Sequence, residues 1–367
     1  TPTIMGFWKR TMENLVDHKN FWRNKNVLVT GHTGFKGGWL SLWLDKVGAK
    51  VSGYALKPNE ENSFYKSVYA KGFIGTEIFA DIANSKKLSE YIKTQKPSFI
   101  FHLAAQPLVR KSYRNPVETF KTNALGVINL FEAVRSCRFE PTIINVTTDK
   151  VYKTKDGMQA LSEIAELGGV DPYSASKTCS EIITNCYKNS YFDKTNVKVA
   201  TVRAGNVIGG GDMAADRLIP DYFRSILKNN EIVLRNPKAI RPWQHVLEPV
   251  SGYLKLAEKL SSKNGSQYEG SWNFAPSKGM FEVGEIISKL CKISGGKEYK
   301  SFEKSNLPET QSLILDSSKA MNKLNWKPKL KIDEALSLTY DWFARSLMEY
   351  DMKEFSMQQI MDYQKYG

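Results

Sequence analysis

The sequence has no long hydrophobic run and few cysteines or histidines. Its apolar stretches, such as Val27–Val29 and Phe99–Phe101, have the length of a strand and fall far short of the ~20 residues that a membrane helix needs. The N-terminal segment around Lys9, Arg10 and Asp17 is too polar for a signal peptide. The four cysteines form no C-x-x-C pair, so we expect reduced thiols and a cytoplasmic location. The four histidines lack ligand spacing, so we expect no metal site.

Charge is abundant, with one sign in excess. The formal net charge is +14 over 367 residues. Lysine and arginine are spread along the chain and no nucleic-acid-binding motif accompanies them, so we expect no nucleic-acid partner. A positive field that steers a polyanionic small ligand is the favoured interpretation, and general solubility is the alternative.

Strand-like and helix-like segments alternate over the first two thirds of the chain. Expected strands lie at 27–30, 50–54, 98–103, 142–147 and 198–203, and expected helices at 36–47, 86–94, 117–135 and 173–191. This alternation predicts an α/β fold with a Rossmann-type, doubly wound parallel sheet. After Asn206, glycines and prolines interrupt the pattern, which predicts a smaller, interleaved C-terminal substrate domain rather than another sheet.

A glycine-rich turn, Thr30–Gly38, follows the first expected strand and opens a helix. Gly31 permits a tight turn, Gly34 lets the backbone approach a pyrophosphate, and Gly37 lets helix and strand pack closely. The helix N-terminus then offers N–H donors to phosphates, so the turn predicts a dinucleotide site. The second strand ends without the acidic residue that would hold a ribose 2′-hydroxyl and repel a 2′-phosphate, so NAD is expected but NADP stays open. Asp81 is a candidate acceptor for the adenine amine, or a turn-capping residue.

The expected domain boundaries follow from these elements. They are an N-terminal extension (1–24), an NAD-binding domain (25–205, with returning segments at about 241–274), a substrate-binding domain (206–240 and 275–345) and a C-terminal tail (346–367).

A tyrosine and a lysine mark the start of another helix. Asp171 is expected at its N-cap and Pro172 at its first position. Tyr173 and Lys177 are four residues apart and therefore share one helical face. A tyrosine that takes an alcohol proton near neutral pH needs a pKa below its usual ~10. A neighbouring ammonium and a cationic nicotinamide would lower that pKa.

Polar residues follow the expected strand 142–147. Such strand ends face the cofactor crevice of a doubly wound sheet. Thr148 is expected to donate to the substrate alcohol alongside Tyr173, and Asp149 and Lys150 come directly after it.

Together these motifs resemble the extended short-chain dehydrogenase/reductase family, from about Phe21 to about Trp342. The segments that carry the resemblance are 30–37, 81–82, 102–105, Thr148, Tyr173 with Lys177, and 203–206. Members of this family act mainly on nucleotide-sugars, so the resemblance implies an NAD-dependent enzyme that forms a homo-oligomer, a dimer or a tetramer. Carried over by position, the implied cofactor-binding residues are Gly31, Thr33, Gly34, Phe35, Lys36, Gly37, Asp81, Ile82, Leu103, Ala104, Ala105, Asn123, Tyr173 and Lys177.

Within the family, segments 31–40, 104–110, 203–212 and 241–249 look like the branch of 4,6-dehydratases, which are hydro-lyases, that takes CDP-glucose. Sugar 4,6-dehydratases usually carry Thr-Asp-Glu, where Asp protonates the departing 6-hydroxyl and Glu removes the C5 proton. The CDP-glucose branch resembles this chain in replacing Glu by Lys. Lys150 then either acts as the base with a lowered pKa, or stays charged and stabilises the enolate.

The resemblance also implies a set of substrate contacts. Asn206 would bond the sugar or first phosphate. Arg235 and Arg241 would hold the diphosphate or be solvated surface charges, and His245 would touch the base or cap a strand. Asn123 would fix the backbone of the site or serve as an ordinary buried amide. The implied substrate-binding residues are Gln106, Asn206, Arg217, Arg235, Arg241 and His245.

Three alternatives stay open. A 4-epimerase would keep Thr148, Tyr173 and Lys177 without needing Asp149 and Lys150. A dehydratase of GDP-mannose or dTDP-glucose is the nearer rival, and a non-enzymatic NAD-sensing protein would share the fold. Apolar side chains on 117–135 and 182–191 indicate either helices that pair across a twofold axis or ordinary core faces.

Overall fold

The computed structural model describes residues 20–58, 63–153, 160–234, 236–276, 280–296, 299–301 and 313–366. Its strands are β1 (Asn26–Thr30), β2 (Lys50–Ala55), β3 (Thr76–Phe79), β4 (Phe99–His102), β5 (Thr142–Val146), β6 (Lys198–Ala204), β7 (Asn206–Ile208), β8 (Val233–Leu234), β9 (Ile240–His245), β10 (Gly270–Phe274), β11 (Met280–Glu282) and β12 (Lys300–Ser301). Seven of these form one parallel sheet in the order β3-β2-β1-β4-β5-β6-β10.

Helices cover both faces of this sheet. They are α1 (Phe35–Lys46), α2 (Phe64–Val68), α3 (Ser85–Gln95), α4 (Val109–Arg114), α5 (Pro116–Phe120), α6 (Gly126–Arg135), α7 (Pro172–Tyr187), α8 (Leu218–Leu227), α9 (Leu247–Leu260), α10 (Val283–Ser294), α11 (Ser318–Leu324), α12 (Ile332–Ser346) and α13 (Met352–Lys365). Single π-helical turns at Lys121–Leu125 and Lys188–Phe192 precede α6 and follow α7. The expected long helices 117–135 and 173–191 therefore each contain one such turn.

The two faces of the sheet form two hydrophobic clusters. Val27 and Val29 of β1 pack into one cluster, and Leu28 packs into the other. Side chains alternate between the faces of a strand, so an unbroken apolar run requires burial on both sides. The expected α/β, doubly wound parallel sheet is confirmed.

The C-terminal third contains more sheet than its interrupted pattern predicts. Gly270–Phe274 returns to the main sheet beside β6, with Trp272 and Phe274 fully buried on alternate positions. In addition, β11, β9 and β7 form a three-stranded mixed sheet, and β8 pairs with β12. The expectation of no further sheet is wrong because these strands are too short to give a periodic signal.

Both ends of the described chain pack into the core. Residues 1–19 of the expected extension lie outside the described residues, but Trp22 is fully buried and donates to Glu258 at 2.6 Å. The expected C-terminal tail is helix α13, where Ile360 is buried and the Tyr363 hydroxyl donates to Glu248 at 2.7 Å. Among the described residues, every helix is too short or too polar to cross a membrane.

Candidate active site

Two adjoining cavities open at the carboxyl ends of the central strands. One, of about 430 Å³, is lined by the glycine turn and the ends of β2 and β4, and we call it the cofactor cavity. The other, of about 470 Å³, lies between the main sheet and the C-terminal elements, and we call it the substrate cavity. They share the lining residues Lys36, Pro107, Thr147, Tyr173, Asp212 and Arg217. Ligands of doubly wound sheets bind at this edge.

The glycine turn gives the cofactor cavity a floor of backbone. Gly31 has a φ of +76°, and a Cβ there would lie 2.7 Å from the backbone nitrogen of Ala104. Gly34 caps α1 in an extended conformation, and no side chain caps the helix. The N-terminus of α1 is thus free to receive an anionic group, and the cradle suits a dinucleotide pyrophosphate.

Most of the expected cofactor residues meet around this cavity. Asp81 lines it and also accepts a hydrogen bond from the Ala83 N–H at 2.8 Å, so its carboxylate holds a turn. Tyr54, Ala55 and Leu56 at the end of β2 line it without an acidic group. The expected residues that line the cavity are Gly31, Thr33, Gly34, Phe35, Lys36, Gly37, Asp81, Ile82, Leu103, Ala104, Ala105, Tyr173 and Lys177.

Asn123 is not among the lining residues. It lies in the π-helical turn before α6, where its Oδ1 accepts from the Gln106 N–H at 2.8 Å. Its Nδ2 donates to the Gln106 carbonyl at 3.0 Å and to Ser176 Oγ at 2.9 Å. Asn123 therefore fixes the loop after β4 against α7, as the alternative interpretation of this residue expected.

Tyr173 stands where the two cavities meet. Asp171 accepts from the Ser174 N–H at 3.0 Å and Pro172 occupies the first turn of α7, which confirms the expected helix start. Burial raises the pKa of Tyr173 to about 12, although a hydrogen bond with Thr148 opposes the rise. The expected lowering of this pKa is therefore not produced by the protein groups, because burial outweighs them.

Lys177 lies one helical turn after Tyr173 and is 4% exposed. Its Nζ donates to the Val146 carbonyl at 3.0 Å, which ties α7 to β5. Burial, and then the nearby charge of Lys36, lower the pKa of Lys177 to about 8. Keeping the Lys177 ammonium charged in the cofactor cavity therefore costs electrostatic free energy.

Thr148, Asp149 and Lys150 follow β5 and line the substrate cavity. Thr148 caps the 3-10 turn Asp149–Val151, and its hydroxyl donates to Asp149 Oδ1 at 2.9 Å. Asp149 is only 4% exposed. The end of β5 therefore presents a hydroxyl, a carboxylate and an ammonium to whatever occupies the cavity.

Lys36 has a larger place in the site than the sequence indicated. It was expected only beside the cofactor, yet it lines both cavities. Burial and the charge of Arg217 lower the pKa of Lys36 to about 8, while Asp149 and Asp212 act in the opposite direction. The sequence did contain a signal for this role of Lys36: it is a lysine in a glycine-rich turn, at a position where an apolar residue would pack.

Three of the expected substrate residues line the substrate cavity. Asn206 follows β6, Arg217 precedes α8 and pairs with Asp212 at 2.7 Å, and Arg241 lies on β9. Arg235 lies outside the described residues.

Two other expected substrate residues do not reach it. Gln106 turns back on its own loop, where it accepts from the Leu108 N–H at 2.7 Å and donates to Thr119 at 3.0 Å. His245 is fully buried against Trp39, accepts from the Leu247 N–H at 3.4 Å, and has a pKa lowered to about 3 by burial. Neither residue lines either of these two cavities, and their expected contacts with substrate stay predictions.

A buried ion pair beneath the site was not assigned from sequence. Glu181 and Arg203 are 3% and 2% exposed and lie 2.8 Å apart. Arg203 belongs to a motif that supported the resemblance but received no role, and Glu181 could have been found by its place four residues after Lys177.

The chain was compared with known proteins. A family model described as GDP-mannose 4,6 dehydratase matches residues 28–339. The chain is 42% identical to the CDP-glucose 4,6-dehydratase of Salmonella typhimurium over 94% of this chain and 98% of that protein.

Solved structures agree in fold. An epimerase of Methanothermobacter thermautotrophicus superposes with a TM-score of 0.77, at 20% identity, over 93% of this chain and 97% of that one. The dTDP-glucose 4,6-dehydratase of Streptomyces venezuelae, solved with NAD bound, gives 0.75 at 20% identity, over 88% and 98%. The family expected from the motifs is confirmed. The chain belongs to the GDP-mannose 4,6 dehydratase family of extended short-chain dehydrogenases/reductases.

Proposed function

We propose that this chain is a CDP-glucose 4,6-dehydratase that converts CDP-glucose to CDP-4-keto-6-deoxyglucose with loss of water. The observation that carries the proposal is the junction of the two cavities. Tyr173 stands at that junction, and Asp149 and Lys150 stand on its substrate side. A 4-epimerase has no use for such an acid–base pair. The substrate follows from the 42% identity to the Salmonella enzyme over almost the whole chain.

NAD is the proposed cofactor. The α1 N-terminus and Gly31–Gly37 would hold its pyrophosphate, and Lys177 would lie beside its nicotinamide end. Bound NAD supplies the oxidant for C4 of the hexose and the reductant for C6, so the sugar gains no net oxidation. NAD is favoured over NADP because the end of β2 offers no described basic residue to the cavity for a 2′-phosphate.

Tyr173 takes the proton of the C4 hydroxyl, with Thr148 bonded to the same oxygen. The high pKa of the buried tyrosine, about 12, has to fall for this step, and cationic groups close to the phenol achieve that. Arg217 acts in this direction in the structure, and Lys177 and the positive charge of a bound nicotinamide would add to it. The ketone formed at C4 then makes the C5 proton acidic.

Asp149 and Lys150 carry out the elimination. Asp149 donates a proton to the departing 6-hydroxyl, which leaves as water, so its carboxyl is protonated at that moment. Lys150 either removes the C5 proton as a neutral amine, or stays an ammonium and stabilises the enolate while another group takes the C5 proton. Lys150→Arg separates these roles, since a guanidinium keeps the charge and cannot act as a base near neutral pH.

Arg217 and Arg241 would hold the diphosphate, and Asn206 would bond the sugar or the first phosphate. A guanidinium offers two parallel donors, which suit phosphate oxygens. Both arginines line the substrate cavity.

The direct test is incubation with CDP-glucose, without and with added NAD, followed by mass analysis of the sugar nucleotide. We expect a product lighter by one water, and a deuteron at C5 when the solvent is D₂O. A product of unchanged mass would indicate epimerisation. Faster turnover of GDP-mannose or dTDP-glucose in the same panel would reassign the substrate, and NAD binding without any turnover would favour a sensor.

We also propose that the chain forms a homodimer through α5, α6 and α7. Val117 of α5, Leu125 of the π-helical turn before α6, and Ile182 of α7 are 80%, 42% and 58% exposed, although they are apolar. Such side chains on neighbouring helices are typical of an interface. Ile182→Asp is expected to give a monomer in light scattering, whereas Ile164→Asp, at an isolated residue that is 96% exposed, is expected to leave the dimer intact.

A further inference from the structure

The residues proposed for dehydration lie on one short stretch of chain, Thr147–Tyr152, which we call the catalytic segment. It contains Thr148, Asp149 and Lys150, begins directly after β5 and includes the 3-10 turn Asp149–Val151. A 3-10 turn has few hydrogen bonds of its own. Its position therefore depends on what holds its two ends, together with the bonds that the Val151 carbonyl accepts from the Gly168 N–H at 2.9 Å and from Thr178 Oγ1 at 3.3 Å.

The first end is held by Glu181. The Thr147 hydroxyl donates to Glu181 Oε1 at 2.5 Å, and its backbone N–H donates to the Val202 carbonyl at 2.9 Å. Glu181 lies on α7, the helix that also carries Tyr173 and Lys177. The carboxylate thus links the start of the catalytic segment to the helix of the proposed base.

The second end is held by Arg203. Its Nη1 donates to the Tyr152 hydroxyl at 2.7 Å, and the guanidinium lies 4.7 Å from the centre of the Tyr152 ring. The Tyr152 hydroxyl in turn donates to Asn273 Oδ1 at 2.7 Å. The phenol is therefore fixed by a donor on one side and an acceptor on the other.

Glu181 and Arg203 are partners of each other. Arg203 donates through Nε to Oε1 at 2.8 Å and through Nη2 to Oε2 at 2.9 Å, a two-pronged pair that fixes orientation as well as distance. Thr201 also donates to Glu181 Oε2, at 2.6 Å. Both ends of the catalytic segment are thus tied to one buried ion pair.

We infer that the Glu181–Arg203 pair is a positioning device for the proposed dehydration, holding Thr147–Tyr152 so that Asp149 and Lys150 meet C6 and C5 of the sugar. This inference rests on the proposed function for its substrate. A buried ion pair gives little stability compared with apolar packing, which leaves geometry as its distinctive contribution. Misplacement of reacting groups by about 1 Å can cost about 100-fold in rate.

The test releases each end without leaving a buried charge unpaired. Tyr152→Phe removes the hydroxyl that Arg203 holds and keeps the ring beneath the guanidinium. We expect kcat to fall about 10- to 100-fold with KM nearly unchanged. Because Thr148 stays tied through Thr147, the elimination slows more than the oxidation at C4. The kinetic isotope effect from C5-deuterated substrate should rise and that from C4-deuterated substrate should fall.

Thr147→Val releases the other end, next to Thr148. We expect a similar fall in kcat, but here both steps slow together because Thr148 serves the oxidation at C4. Thr147→Ser keeps the hydroxyl and is expected to restore most of the rate.

Thr201→Val is the matched control. It removes a hydroxyl from the same carboxylate but lies on β6, outside the catalytic segment. It should lower thermal stability about as much as Thr147→Val while both isotope effects stay at wild-type values. Equal loss of kcat in Thr201→Val and Tyr152→Phe, with unchanged isotope effects in both, would overturn the inference and leave the pair a scaffold element.

A second measurement needs no sugar. Amide hydrogen exchange of the protein with NAD should be faster at Asp149–Tyr152 in Tyr152→Phe and unchanged there in Thr201→Val. Unchanged exchange in Tyr152→Phe would contradict the inference. If wild-type protein fails to dehydrate CDP-glucose, the proposed function falls and the exchange measurement still decides the role of the ion pair.

Discussion

The cofactor cavity and the substrate cavity are built in different ways. The first is lined mainly by backbone and small side chains from the glycine turn and the ends of β2 and β4. The second is lined by residues of both the main sheet and the C-terminal elements, with apolar ones such as Ile208 and Leu234 beside the charged residues Asp149, Lys150, Arg217 and Arg241. Substitutions in the cofactor cavity should therefore act through shape and folding, and those in the substrate cavity through chemistry and affinity.

Tyr173→Phe is expected to have the largest effect, since Tyr173 belongs to both cavities. Removing the phenolic oxygen removes the proposed base while the ring keeps its packing. We expect kcat for CDP-glucose to fall about 10³-fold, within the range for loss of a general base. Steady-state kinetics would measure the fall in kcat, and calorimetric titration would measure the affinity for NAD.

The affinity for NAD should change little in Tyr173→Phe. Tyr187→Phe, which removes a phenolic oxygen from the same helix outside both cavities, is the control and should retain activity. Dehydration by Tyr173→Phe at the wild-type rate would remove Tyr173 from the mechanism.

Gly37→Ala tests the cofactor cavity through its shape. A Cβ at Gly37 would lie 2.1 Å from the Gly31 carbonyl oxygen, a backbone atom that cannot move without opening the turn. We expect a loss of about 3 kcal/mol in the free energy of unfolding, measured by denaturant titration.

Gly34→Ala provides the comparison within the same turn. Its Cβ would meet only the Gly31 carbonyl oxygen, at 3.3 Å. We expect less than about 1 kcal/mol of destabilisation but weaker NAD binding, because the added methyl would lie where a pyrophosphate approaches. Equal destabilisation in both variants would contradict the view that Gly37 serves packing and Gly34 serves the ligand.

The sequence predicted some strands of the main sheet well and missed others. The strands β1, β4, β5 and β6 were located to within about a residue or two, because continuous apolar runs are typical of a sheet buried on both faces. β3 and β10 had no expected counterpart. Thr76–Phe79 is a short edge strand without buried residues, and Gly270–Phe274 joins the sheet only after a long excursion through the C-terminal elements.

Side-chain direction was the part of the site that sequence could not supply. Gln106 and His245 stand in motifs that resemble the family, yet both face the scaffold. Tyr173 and Lys177 were located correctly on one helical face, but the dominance of burial over their pKa values depends on packing from distant segments. A motif identifies a residue type and leaves its surroundings undetermined.

Lys177→Met tests the free-energy cost of burying a charged lysine in the cofactor cavity. Burial lowers the pKa of Lys177 from 10.5 to about 8, so the folded protein holds this proton less tightly than the unfolded chain. The unfolded chain binds more protons between these values, and wild-type stability should rise as the pH increases from about 8 towards 10. Lys177→Met lacks this dependence.

We expect Lys177→Met to be more stable than wild type by about 2 kcal/mol at pH 7, after allowing for its lost bond to Val146, and to be inactive. The gain should shrink towards pH 10, where the wild-type lysine is neutral in the fold. Unfolding by denaturant at both pH values would measure it. If the gain in stability does not depend on pH, it comes from packing and not from the removal of the charge.

Arg241→Ala is expected to have the smallest of these effects and to act on the substrate cavity alone. Arg241 lines that cavity and not the cofactor cavity, so the KM for CDP-glucose should rise about tenfold while kcat and NAD affinity stay close to wild type. Arg241→Lys should give an intermediate KM, since an ammonium keeps the charge and loses the two-pronged donor.

The net charge of +14 gives a second explanation for a higher KM in Arg241→Ala, because a positive field alone would attract a diphosphate. Lys238→Ala is the control for it: this exposed residue is close in sequence, carries the same charge and lies outside both cavities. A field effect is screened by salt, whereas a direct contact within the cavity is screened far less. The KM of Arg241→Ala should therefore stay raised relative to wild type at high ionic strength. Equal increases in KM for the two variants, both vanishing in salt, would assign substrate capture to the field of the whole protein.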